Sequence, residues 1–222
     1  MKKIILSLVF GLFLISQSYA ALIKSTAEII NWTAVAAATT YTTPAVDLSG
    51  NYQSLIQIDV ALTSKTATTN GMGIVVQTSS NTVGNITWAD YASYTCIAGT
   101  TAGLSNTSDA VTAAGSTLLL LPVTSTGVSA GQLMYMRNST NINNSEMVRV
   151  NNLTANVSAT IIDALANGYT NLTNIWCGNS TYTGVVAIPD SANRVRIIFD
   201  NTKDASGSGV EVRARLDKIT GI

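Results

Sequence analysis

The sequence predicts an all-β protein, an antiparallel β-sandwich carrying an inserted small β subdomain. Three observations predict it. Apolar residues alternate with polar ones in Ile56-Gln57-Ile58-Asp59-Val60-Ala61-Leu62 and again near the C-terminus, the period of a strand with one buried face. Gly, Asn, Ser and Thr clusters punctuate these runs at short intervals, as in sandwiches and barrels. Hydrophobic residues make up 46% of the chain and charged ones only 11%, so it holds enough apolar material to fold while Ser, Thr and Asn supply the polar surface.

Met1 to Ala20 has the three parts of an export signal: Lys2 and Lys3, the apolar run Ile4 to Ile15, and small residues at Ser18 and Ala20. The competing reading is a transmembrane anchor, but the run falls short of the roughly 20 residues that span a bilayer. Cleavage is expected after Ala20, no Cys follows to take a lipid, and Leu118 to Leu121 ends at Pro122. The expected location is outside the cytoplasm: secreted, at the cell surface or in the periplasm, with no stable membrane insertion of the mature chain.

Strands are expected at about Glu28 to Val35, Ile56 to Leu62, Gly73 to Thr78, Thr87 to Tyr94, Leu118 to Val123, Leu133 to Arg137, Met147 to Val150, Val157 to Ile162 and Gly184 to Ile188. Ala34 to Ala38 could extend as a helix, but Thr39 to Thr43 and then Pro44 oppose it. Residues 99–116 read as a long surface loop. Val128 to Met136, Glu146 to Val150 and Ala155 to Ile161 read as three successive strands of the small module. In the last stretch, Val195, Ile197 and Phe199, then Val210, Val212, Ala214 and Leu216, take alternate positions on either side of a turn-rich connector, which predicts an antiparallel hairpin. The organisation expected is a signal at 1–20, a main sandwich from 21–116 and 179–222, and an inserted subdomain at 117–178; no internal repeat is evident.

Export also governs the two cysteines. In an oxidising compartment Cys96 and Cys177 are expected to form a disulfide clasping the ends of the insertion, closing a loop worth about 4 kcal/mol in the chain-entropy picture. The alternative is two unpaired buried thiols.

Asn31-Trp32-Thr33 leading to Thr43-Pro44-Ala45-Val46-Asp47-Leu48-Ser49-Gly50 resembles small β-sandwich structural proteins encoded in tailed-phage virion gene clusters. So do Val76 to Ser80 followed by Thr87-Trp88-Ala89-Asp90, and Asn193 to Asn201 with Val210 to Leu216, while Gly131 to Ile161 is similar to the small β modules of such proteins. The likeness is one of strand-and-turn texture over most of the mature chain. It implies an assembly or attachment role and brings no catalytic residue. The export signal departs from the virion pattern and points to a cell-encoded, exported relative.

The sequence contains no His, which excludes Ser-His-Asp and Cys-His catalysis and His-containing zinc or haem sites. Removing Lys2 and Lys3 leaves 10 basic against 12 acidic residues, with no basic track for nucleic acid. Asp59, Asp90, Asp163 and Asp190 could supply a carboxylate pair only if the fold brought two together. Asp200, Thr202 and Asp204 have calcium-loop spacing, but Lys203 interrupts them and a distal Glu is lacking, which favours a turn. Trp32, Trp88, Trp176 and Tyr135 could stack on sugar, against the commoner role of strand aromatics as core. Asn-X-Ser/Thr acceptors occur at Asn31, Asn85, Asn106, Asn138, Asn143, Asn152, Asn156, Asn171 and Asn179, and chance accounts for many in so Asn- and Thr-rich a chain.

The expectation is therefore a secreted, non-enzymatic structural subunit of a filament, coat or matrix, with no cofactor. The alternative is a module that binds glycan or another cell surface. Expected partners are copies of itself, other surface proteins or a glycan.

Overall fold

The computed structural model describes residues 22–63, 70–99, 106–107, 113–120, 129–138, 140–154, 157–169, 174–177, 180–203 and 209–221. The export signal and Asp204 lie outside them.

The fold is all-β and antiparallel. Strands β1 (Leu22–Val35), β15 (Val210–Gly221), β4 (Asn51–Leu62) and β13 (Thr181–Ile188) pair in that order. Facing them are β2 (Thr40–Thr42), β14 (Arg194–Asp200), β5 (Met72–Ser79) and β6 (Ala89–Cys96), with β3 (Val46–Asp47) also paired to β14. Between these sheets the alternating apolar side chains form one core. Ile56, Ile58, Val60, Val212 and Ala214 come from one sheet and Ile74, Val76, Val195, Ile197 and Phe199 from the other, all fully buried. Burying each larger member contributes about 1.5–3 kcal/mol.

The predicted hairpin of the last two runs is overturned. β14 pairs with β2, β3 and β5, whereas β15 pairs with β1 and β4, so the two strands face each other across the core. Alternation gives each strand a buried face but does not choose its neighbour. The connector between Asp200 and Val210 is long enough to cross the roughly 10 Å between packed sheets.

Where a helix was conceivable, β1 instead ends at Val35 and the chain turns through Ala38, a non-glycine residue at φ 56°. Buried Asn201 holds that turn, donating from Nδ2 to the carbonyls of Val35 and Ala36 at 3.3 and 3.1 Å. Just before β5, Gly71 has φ +73°, and a Cβ there would meet the Cys96 carbonyl at 2.5 Å. Only glycine satisfies both constraints.

A third sheet comes from the stretch 106–177, in the order β7 (Asn106–Thr107), β12 (Asn174–Cys177), β9 (Leu133–Arg137), β10 (Glu146–Thr154), β11 (Ser158–Ile161) and β8 (Leu118–Leu120). The three strands predicted in succession are β9, β10 and β11, each antiparallel to the next. β7 falls within the segment read as loop and before the expected start of the insertion at 117. Met134, Met136, Val148, Val150 and Ile161 on one face pack under Leu165 and Tyr169. The opposite face, through Tyr135, meets Trp32 and Ala61 of the four-stranded sheet.

This packing corrects a second expectation. The alternate positions of β4 and β15 read as a wet face, yet Asp59 is 1% and Glu211 2% exposed: Tyr135 and Arg137 of the third sheet close over Glu211, and Arg213, Gln57 and Thr183 enclose Asp59.

Candidate functional site

The ionisable side chains that the fold brings together lie at this junction. Register places Arg213 of β15, Asp59 of β4 and Thr183 of β13 directly opposite one another, so one row of side chains crosses three strands. Asp59 Oδ2 accepts from Arg213 Nε at 3.0 Å and from its terminal nitrogen at 2.7 Å. Asp59 Oδ1 accepts from the Thr183 hydroxyl at 2.8 Å and from Gln57 Nε2 at 3.0 Å. A second Arg, Arg215, approaches Oδ2 to 3.7 Å. A buried carboxylate with this many donors is fixed in position.

The adjoining row receives the third sheet. Glu211 takes the Tyr135 hydroxyl on Oε2 at 2.5 Å and Arg137 Nε on Oε1 at 2.7 Å. The Tyr135 and Trp32 rings meet with centroids 4.4 Å apart, and the Arg213 guanidinium lies 4.9 Å from the Trp32 ring centre. Burial, reinforced by the Glu211 charge, raises the Tyr135 phenol above its ordinary range, so it donates and stays neutral. The cluster is packed shut: Tyr135 is 0% and Trp32 2% exposed. Such an arrangement pins two sheets together and leaves no room for a substrate.

The expected site residues scatter. Asp59 is enclosed as described, while Asp90, Asp163 and Asp190 are exposed at separate places, Asp90 accepting from Gln77 Nε2 at 2.7 Å. Among the described residues no group of three or more His, Cys, Asp or Glu side chains could hold a metal. Asp200 Oδ1 accepts from the Thr202 hydroxyl at 2.6 Å and its amide at 2.9 Å, a local turn whose hydrogen bonds hold the carboxyl below its usual pKa.

The proposed sugar-stacking aromatics do not form a face. Trp32 and Tyr135 are interior, and Trp88 carries the Arg196 guanidinium 4.4 Å from its ring centre. The Trp176 side chain lies outside the described residues. Cys96 is a buried free thiol, raised by burial to about 12, and the Cys177 side chain needed for the expected bridge also lies outside them.

Sequence reading did not single out Arg137, Glu211 or Arg213. The available signal was a break in alternation: Val60-Ala61-Leu62 and Met134-Tyr135-Met136 are continuous apolar runs, the mark of strands covered on both faces.

One open groove of about 320 Å³ lies at an end of the five-stranded sheet, lined by Thr78, Ser79, Asn81, Thr87 and Ser191 among others. Its lining combines hydroxyl and amide side chains with the methyls of Ala89 and Ala192.

No family model matches the chain, and no curated protein matches it. Among solved structures, matches include the structure of infectious bursal disease virus Gt strain, at 10% identity over 90% of this chain and 41% of that one, with a TM-score of 0.17. The Gx strain structure matches at 9% identity over 90% of this chain and 42% of that one, with a TM-score of 0.16. The chain spans less than half the length of either. Likeness this low carries no argument about fold or function.

Proposed function

We propose that this protein is a secreted, non-enzymatic structural subunit of an extracellular assembly. The observation that carries the reading is the placement of exposed apolar side chains. Of the eight large hydrophobic residues exposed among the described residues, four lie on strands at sheet edges: Ile23 on β1, Tyr91 on β6, Leu118 on β8 and Val185 on β13. Sheet edges with unpaired backbone groups and apolar side chains are templates for association. Low charge density weakens the repulsion that keeps copies apart. The ionisable cluster fits a structural role, since its groups are consumed in joining two sheets.

Electron microscopy and light scattering of the purified mature protein test this. Concentration-dependent oligomers or ordered polymers are expected, and a monodisperse monomer at high concentration would refute it. The second reading, a cell-surface or glycan-binding module, has the hydroxyl-lined groove in its favour; a glycan array with no binding removes it.

A further inference from the structure

We propose that β13 is the contact edge and that its occupant is β13 of a second copy, paired antiparallel about Val185. This rests on the assembly reading above and names the surface that carries it.

The inference comes from comparing how the free edges are guarded. Long sheet edges in soluble proteins are blunted by charges, proline, bulges or shortness. β1 has two register shifts, after Glu28 and after Ile30, and carries Lys24 and Glu28. β6 has a shift that leaves Tyr91 without a cross-strand partner, next to Asp90. β2 and β3 are three and two residues long, with Pro44 between them. β7 and β8 are equally short, at two and three residues. β13 has none of these devices within the strand, where Pro189 and Asp190 come only after its last residue. Its eight residues, Thr-Tyr-Thr-Gly-Val-Val-Ala-Ile, include no charge and no proline, and they pair with β4 from Thr181 to Ile188 without a shift.

The first part of the strand is occupied: the Thr181 hydroxyl donates to the Leu133 carbonyl of β9 at 3.3 Å, and Tyr182 lies against Tyr94 with ring centroids 5.8 Å apart. Gly184 lets the Tyr182 side chain fold back over it, because a Cβ there would collide with that ring. From Gly184 onward no strand among the described residues pairs with this edge, and Val185 is 63% exposed.

Charge identifies the occupant as a second copy. In a two-fold contact only the residue on the axis faces its own counterpart and each other residue faces the one equally far on the other side, so a strand must be compatible with its own reverse, and β13 brings no charge to oppose itself. An edge free of charge over its whole length meets that condition. Pairing about Val185 sets Val185 against Val185, Gly184 against Val186 and Thr183 against Ala187. A β-branched pair then sits at the axis, and two four-stranded sheets join into one of eight strands.

The test uses the mature chain in sedimentation velocity across a concentration series. Wild type should dimerise, and Val185→Lys should weaken association at least tenfold with an unchanged circular dichroism spectrum, since the side chain is exposed. Tyr91→Lys, on the bulged edge, should leave association as in wild type. Val185→Cys should give a covalent dimer on mild oxidation, because antiparallel partners stand about 4.5–5.5 Å apart at Cα, within disulfide reach. Val83→Cys, on an exposed loop, should not. Assembly that persists in Val185→Lys and fails to cross-link through Val185→Cys would overturn the β13 contact while leaving the structural function standing. A wild type that stays monomeric would overturn both.

Discussion

Replacing Asp59 by Asn tests whether the row across β4, β13 and β15 beside the junction is held by charge. The side chain keeps its shape, so packing is preserved. Its amide can still accept from Thr183 or Gln57, which now bond Oδ1 at 2.8 and 3.0 Å. The Arg213 nitrogens, at 3.0 and 2.7 Å from Oδ2, would instead face a neutral group that offers N–H where they need an acceptor. The Arg213 side chain is 14% exposed and cannot turn fully to water. Breaking a buried pair from one side costs about 3–5 kcal/mol, because the remaining charge stays desolvated. At about 2–4 °C per kcal/mol for a domain of this size, a 3 kcal/mol loss lowers Tm by about 6–12 °C. Removing both charges together, as Asp59→Leu with Arg213→Met, should recover much of the loss, since the buried Arg213 charge goes with its partner, the remaining Arg215 is 30% exposed and can turn to water, and Met can still cover Trp32. Guanidinium denaturation and thermal melts of wild type, Asp59→Leu, Arg213→Met and the double variant complete a double-mutant cycle, with Asp59→Asn measured beside it. An Asp59→Asn variant within 0.5 kcal/mol of wild type, or strict additivity in the double variant, would refute the argument.

Tyr135→Phe removes the hydroxyl donor from Glu211 and leaves Arg137 in place, so it should cost about 1.5–3 kcal/mol in the same denaturation assay; a neutral change would mean that bond is not made. Burial raises the phenols of Tyr94, Tyr135 and Tyr169 from the ordinary 10.0, so above pH 10 the folded chain keeps protons that the unfolded chain has lost. Stability is therefore complete below pH 10 and declines above it by about 1.4 kcal/mol per pH unit for each tyrosine. Absorbance at about 295 nm should show these phenols ionising only as the protein unfolds, and reversible native titration of all tyrosines near pH 10 would contradict it. Cys96, with its thiol raised to about 12, should resist alkylation at neutral pH until denaturant is added. Equal rates with and without denaturant would contradict its burial, and thiols that appear only after reduction would mean that the bridge to Cys177 forms.

The period-two pattern made the fold class and most strands legible, β14 among them through Val195, Ile197 and Phe199. It failed where strand identity depends on partners. β14 and β15 have the same pattern whether they join in a hairpin or face each other across a core, and the second arrangement is the one found. β7, β12 and the β2–β3 edge are two to four residues each, too short for periodicity to register, and they owe their conformation to the strands beside them. At the junction, Asp59 was visible as an acid and Tyr135 as an aromatic. Their environments depend on how the third sheet docks, a long-range event that local pattern does not encode.

The scarcity of charge connects the buried junction to the open edge. With 12 basic and 12 acidic residues in the whole chain, Asp59 and Glu211 are withdrawn from the surface and Arg213 nearly so, while Arg137 of the third sheet reaches in to Glu211 with a third of its side chain still exposed. Apolar packing alone would let the third sheet slide on the four-stranded one. Arginine and carboxylate rows in fixed register define a single docking position, the use in which buried polar groups gain most. A sheet edge needs only one or two lysines to repel another strand, and β13 has none. If uncharged edges merely reflected composition, β1 and β6 would be equally bare, yet they hold Lys24, Glu28 and Asp90 and interrupt their pairing with bulges. The absence of every guard at β13, beside edges that have them, is therefore specific to that strand. It is the pattern expected when one edge is kept for association and the others are closed to it.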